Sequence, residues 1–273
     1  MSCGTKRRFV CPTVGSASPP GPSRKQCAPK LATLGALTYA DQGAPPSEVQ
    51  RLVGDSRAFF AIDVETHMLA PENKLDVANG AGSLSVFKKT TPDELAHLKL
   101  VQIGWAVGDV RGGEPRVREL LVKPVGYEIH SKAADKHGIT QDHASSRGLP
   151  LREVLSQFLA EFEEACRQGA RVTAFNLDFD AAVVRHELAR EGLVEELAEW
   201  DQKTSEGLCT MHPEICKWVT GQRGGNALPS CSLNLAVRTL LPEHVGMLQS
   251  HHNAGNDSHM HWLLCKALAR ETA

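Results

Sequence analysis

Phe59-Phe60-Ala61-Ile62-Asp63-Val64-Glu65-Thr66 is an apolar run that ends abruptly in two carboxylates separated by one residue. Its length and its Phe, Ile and Val content predict a buried β-strand with an acidic tip. Successive strand side chains point to opposite faces, so Asp63 and Glu65 project on one side while Ile62 and Val64 can pack on the other. Like charges held this close repel unless something neutralises them, and a divalent cation, which prefers carboxylate oxygens, would do so. A strand end reaching solvent would also accommodate an Asp and a Glu. The stretch by itself leaves both readings open.

Downstream, 100–107 and 117–122 read as two further strands separated by a Gly- and Pro-containing connection, which gives an antiparallel meander with the first. Behind Pro150, Leu151, Val154, Leu155, Phe158, Leu159, Phe162 and Ala165 recur at helical spacing and predict an amphipathic helix ending near Gly169. A short strand over 171–175 then runs into Asn176, Asp178 and Asp180, where a helix starts that stops near Gly192. Helices over 194–200, over 233–241 and from about Gly255 onward follow, with a brief apolar strand at 208–211. This order predicts an α/β fold, a mixed five-stranded sheet flanked by helices.

With 273 residues the chain has room for one domain of about 200 residues plus an extension. Its 30 basic and 32 acidic residues nearly cancel, so net charge does not announce a nucleic-acid partner, although a local basic groove is invisible in totals. Eight irregularly spaced cysteines without a signal-peptide core suggest reduced thiols and an intracellular protein, cytoplasmic or nuclear. No apolar run approaches the roughly 18 residues that a membrane span needs. Residues 1–56 carry a Pro, Gly and Ser cluster, bases at Lys6, Arg7, Arg8, Arg24, Lys25 and Lys30, and no acid before Asp41. They read as a disordered tail, and the basic start also fits organelle targeting. Residues 57–273 are the expected folded domain. Within it, 67–98 reads as a long loop with a short helix at 92–97, either a lid or substrate-binding insertion or a tolerated surface one.

Near the C-terminus stands His251-His252-Asn253-Ala254-Gly255-Asn256-Asp257-Ser258. Residues five apart do not share a helical face, so His252 belongs on a loop and Asp257 in the first turn of the following helix. Three separated segments thus offer acids at an element boundary. In them the chain resembles the DEDDh family of 3′ to 5′ exonucleases, which has the ribonuclease H-like fold. Asp63-Val64-Glu65 matches the family's D-x-E, Asn176-Leu177-Asp178-Phe179-Asp180 its N-x-x-F-D, and His252 to Asp257 its H-x-A-x-x-D, while His137-Gly138-Ile139-Thr140 looks like its H-G-I-T segment. Phe175 stands where many members have His, His67 where Thr is frequent and Ser258 where Ala is usual.

The resemblance implies a pair of magnesium ions, with manganese as a substitute, held by Asp63, Glu65, Asp180 and Asp257. It also implies His252 as general base, and Val64, Thr66, Asn176 and Phe179 at the substrate. The implied reaction releases nucleoside 5′-monophosphates from the 3′ ends of single-stranded DNA or RNA, with no pattern choosing between the two. A catalytically silent nucleic-acid-binding or scaffold protein is the alternative, and the complete acidic set argues against it. Asp178 reads as a solvated neighbour of Asp180, and His259 and His261 as ordinary helix residues, one or both exposed. Cys209, His212, Cys216 and Cys231 lack the paired spacing of a zinc site.

Overall fold

The computed structural model describes residues 44–70, 74–75, 86–87, 92–222 and 227–269. The basic stretch before residue 44 and most of the 67–98 loop lie outside the described residues. From the start of that range the elements are α1 (Ser47–Val53), β1 (Ala58–Thr66), a two-residue ladder of β2 (Lys74–Leu75) with β3 (Val86–Phe87), β4 (Leu100–Asp109) and β5 (Arg116–Leu121). Next come α2 (Ser131–His137), α3 (Gln141–Arg147), α4 (Leu151–Arg167), β6 (Arg171–Ala174), α5 (Leu177–Arg190), α6 (Val194–Ser205) and β7 (Leu208–Cys209). The chain closes with α7 (Pro213–Gly221), α8 (Leu233–Leu240) and α9 (Ala254–Leu268).

The sheet has five strands in the order β5-β4-β1-β6-β7. β5, β4 and β1 form the antiparallel meander, whereas β6 runs parallel to β1 and β7 parallel to β6. The expected mixed, helix-flanked sheet is therefore present. β1 is its centre, and the alternation of its side chains divides the protein. Phe60, Ile62 and Val64 enter one core with α4, α5 and Trp200 of α6, where Phe60 meets Phe158 and Phe162 edge-on at 5.7 Å each. Phe59 and Ala61 enter the other, beneath α8 and α9, with Met260, Trp262 and Leu264. Asp63 and Glu65 share the parity of Phe59 and Ala61, so the face under α9 changes from apolar to acidic toward the end of the strand.

The folded part begins earlier than the sequence reading placed it. α1 falls inside the stretch assigned to the tail, yet Val49 and Val53 are buried in the α9 core, and the Arg171 guanidinium donates to the Leu52 and Val53 carbonyls at 2.7 and 3.2 Å. Two apolar residues four apart behind paired prolines are too short a signal for periodicity to register. The expected short helix near 92–97 is a 3-10 turn, Pro92–Leu95. Its exit is fastened to α5: Arg190 donates to the Ala96 and Leu98 carbonyls, and buried Glu187 accepts from the Leu100 N–H at 2.8 Å. Among the described residues no helix is long and apolar enough to cross a membrane.

One small residue sets how closely α9 lies on the sheet. Gly104 of β4 stands opposite Asp63, and a Cβ there would run into the backbone of Ala254 and Gly255. Only glycine leaves room for the helix start at this point. We expect Gly104→Ala to destabilise the protein by about 1–3 kcal/mol in urea unfolding and to displace Asp257 from the β1 tip. Gly113→Ala, in an open turn with no neighbour within 4 Å, should leave the unfolding midpoint unchanged.

Candidate active site

Three segments converge at the carboxyl end of β1. β6 pairs with β1 only as far as Ala61 and Thr173, after which the chain turns into α5. Beyond the end of that pairing, the Val64 N–H finds its acceptor in Asp180 Oδ1 at 3.1 Å, in the first turn of α5. On the other side Asn253 caps α9 by accepting from the Asn256 N–H at 2.9 Å, and Gln102, the β4 partner of Glu65, accepts from the Ala254 N–H at 3.0 Å. The Asn256 amide donates to the Met247 and Ser250 carbonyls, which ties the preceding 3-10 segment, Pro242–Ser250, to the cap. Asp257 then accepts from the His252 N–H at 3.0 Å. Asp180 and Asp257 both occupy first helical turns, where the helix dipole favours a carboxylate.

One carboxylate oxygen each from Asp63, Glu65 and Asp257 lie within 4.8 Å of one another. Glu65, Asp180 and Asp257 are buried, and Asp63 retains only partial exposure. Burial, with Asp180, Glu65 and Asp257 adding repulsion, pushes Asp63 well above the usual carboxylate range. Burial also pushes Glu65 up to about 8, opposed by the ammonium of Lys136 and reinforced by Asp257 and Asp180. Asp180 is raised to about 8 by burial, against the pull of the Val64 N–H and its own, with Asp257 adding to the rise. Such a set of hard, crowded oxygen donors fits a divalent cation of the magnesium or manganese kind.

His252 lies on the loop before α9, as its spacing from Asp257 requires. Its φ of 70° is the single positive value among the described non-glycine residues, and a strained backbone of this sort costs of order 1–3 kcal/mol. The ring stacks on that of His251 with centroids 3.8 Å apart, and Nδ1 stands 4.0 Å from Glu65 Oε1. Burial, then His251 and Lys136, lowers its pKa to about 4, so the imidazole is neutral at neutral pH and able to accept a proton. His251 Nδ1 approaches Asp257 Oδ2 to 2.8 Å without meeting the geometry of a hydrogen bond.

The other sequence-derived positions separate. Asp180 is buried beside β1, whereas Asp178 is exposed. Val64 turns its side chain into the core and offers the site only its backbone. Thr66 is buried with its hydroxyl donating to the Met68 carbonyl, Asn176 is the half-buried N-cap of α5, and Phe179 packs partly against the Phe60 core. His261 is not exposed: it is fully buried beside Thr173, its pKa driven down to about 3 by that burial, while half-buried His259 faces Glu114. Among the described residues, the groups of three or more side chains that could hold a metal ion are Asp63, Glu65, Asp257 and His251, His252, Asp257, with no cysteine among them.

Gln102, Gly104 and Lys136 were missed by the sequence reading, because each acts through a neighbour brought close by folding. His137 is a partial case, since its segment was noticed but its role was not. Its Nδ1 accepts from the Ile139 N–H, so Nε2 carries the hydrogen and faces the Thr66 carbonyl at 3.3 Å, docking α2 on the end of β1.

No protein-family model matches the chain, and no curated protein does. Solved structures of exonuclease I do. The apo form is 15% identical with a TM-score of 0.52, covering 78% of this chain and 42% of that one. A product-bound form is 16% identical at 0.54, covering 78% and 43%. The E. coli enzyme in complex with a dT13 oligonucleotide is 18% identical at 0.52, covering 77% and 40%. The fold is therefore the ribonuclease H-like one of exonuclease I, and this chain spans about two fifths of the length of those enzymes.

The raised carboxyl values fix a pH dependence. A buried acid with a native pKa near 8 and an ordinary value of 4.5 holds its proton longer in the folded state, so stability falls as pH rises between those values. Without divalent cations, the melting temperature should drop from about pH 5 to about pH 8, with magnesium or manganese restoring most of the loss at the higher pH. A metal-independent melting temperature at both pH values would contradict it.

Proposed function

We propose that the protein is a divalent-cation-dependent 3′ to 5′ exonuclease acting on single-stranded nucleic acid. The convergence of Asp63, Glu65, Asp180 and Asp257 from three segments, with a neutral histidine at their edge, carries this reading. The fold it shares with exonuclease I, solved in complex with dT13 and dA16 oligonucleotides, supports it.

In this reading the four carboxylates hold a pair of magnesium ions, for which manganese can substitute. When bound, such a pair polarises the phosphoryl oxygen, lowers the pKa of water and stabilises the leaving oxygen. A ring nitrogen of His252 accepts the proton of the attacking water, for which its neutrality is the requirement. The Val64 N–H and the first turn of α5 hold Asp180 in place, and the Asn253 cap with Gln102 holds the start of α9 and with it Asp257. In this reading Glu65, at the strand end, would also orient the terminal 3′-hydroxyl.

With magnesium and a 5′-labelled single strand, we expect stepwise shortening from the 3′ end, release of nucleoside 5′-monophosphates and no cleavage of a circular strand. Asp63→Ala or Asp257→Ala should lower the rate by about a thousandfold or more, and His252→Ala by about a hundredfold or more. Mononucleotide release that survives Asp63→Ala would overturn the assignment.

A further inference from the structure

Away from the carboxylates, two cysteines meet where the chain passes from α7 to α8. Cys216 and Thr220 stand one turn apart on the same face of α7, and both are buried. The segment returning toward α8 runs back along that face. The Leu228 N–H donates to Thr220 Oγ1 at 2.8 Å, and the Cys231 thiol donates to Cys216 Sγ at 3.1 Å. Ser232, the next residue, caps α8 by accepting from the Leu235 N–H at 3.1 Å. Both sulfurs are therefore carried on fixed backbone, one inside α7 and one at the threshold of α8.

The surroundings set this pair apart from the other described cysteines. Burial raises the Cys166 thiol to about 11 and the Cys265 thiol to about 12, and it raises Cys209 as well. Cys216 is instead held below the ordinary thiol value by the Cys231 S–H, against the opposition of burial and with help from the Cys231 N–H. Cys231, the donor, is raised by that bond and by burial. The thiolate is the reactive form of cysteine, and a second sulfur already touches it. Cys231 is half-buried, which gives a small oxidant access to the pair. Among the described residues no group that could hold a metal ion includes a cysteine, so the pair lacks the further ligands of a zinc site.

We propose that Cys216 and Cys231 are a reversible oxidation site, a dithiol that hydrogen peroxide converts to a disulfide fastening the start of α8 to α7. One thiol releases its proton, and its sulfur attacks the O–O bond to give a sulfenic acid and a hydroxide, which takes up that proton as water. The partner thiol then displaces the sulfenic oxygen, its own proton leaving with it as a second water. Two thiols are thus oxidised by two electrons while one peroxide is reduced to two waters. Disulfide sulfurs lie about 2 Å apart, so closure asks for an approach of about 1 Å from the present contact. The inference stands independently of the exonuclease reading.

The test exposes the reduced full chain, under native conditions, to a small excess of hydrogen peroxide, blocks remaining thiols with N-ethylmaleimide and maps the tryptic peptides by mass spectrometry. The peptide carrying Cys216 should be joined to the one carrying Cys231, lighter by two hydrogens than the two together. Cys209 shares a tryptic peptide with Cys216, so the link should persist in Cys209→Ser and vanish in Cys231→Ser. Closing a loop of about 15 residues should raise the melting temperature by about 5 to 10 °C over the reduced protein, with dithiothreitol reversing the shift and Cys231→Ser showing none. Alkylation of both Cys216 and Cys231 after peroxide, or a link that forms only when the chain is first unfolded in urea, would overturn the proposal.

Discussion

Four carboxylates from three segments share one poorly hydrated corner at the end of β1, and their mutual repulsion is the constraint on which the rest of the arrangement depends. Each is brought there by an element that could not be elsewhere. The pleat places Asp63 and Glu65 under α9, the end of the β6 pairing frees the Val64 N–H for Asp180, and the absence of a side chain at Gly104 lets α9 set Asp257 on the sheet. The packed cores on both faces hold these elements against the electrostatic cost. Helix N-termini beneath Asp180 and Asp257 offset part of it, and a divalent cation held there would offset more.

The same corner explains the histidine. His252 is held neutral by burial, with His251 and Lys136 beside it adding to the effect, in a backbone conformation that non-glycine residues rarely adopt. Strain of this kind persists only where the surrounding structure enforces it, here through the bond from its N–H to Asp257 and the stacking on His251. The acidic cluster and the neutral histidine thus share one end of β1.

The fold was largely legible in the sequence. Five strands, the amphipathic α4 and the helix starts after Asn176 and Asn253 follow from periodicity and caps, and the parity of Asp63 and Glu65 from the pleat alone. The candidate site's acids stand at element ends, where the sequence placed them. What the sequence hid falls into two kinds. Short helices such as α1, α2 and α3 bury one or two residues each, too few for a period to show. Gln102, Gly104 and Lys136 act through partners distant in the chain, and nothing local distinguishes a strand glutamine that caps a helix from one that faces water. Which of His259 and His261 would be buried was also hidden, and it is His261, whose whole surround is core.

The central claim is that the buried carboxylates form one cation site, and calorimetric titration of manganese into the metal-free protein tests it most directly. The account predicts saturable binding of a pair of ions, with affinity falling by about tenfold or more in Asp63→Asn and in Asp257→Asn alike, because each removes charge from the same cluster. No measurable binding, or binding that both substitutions leave intact, would contradict it.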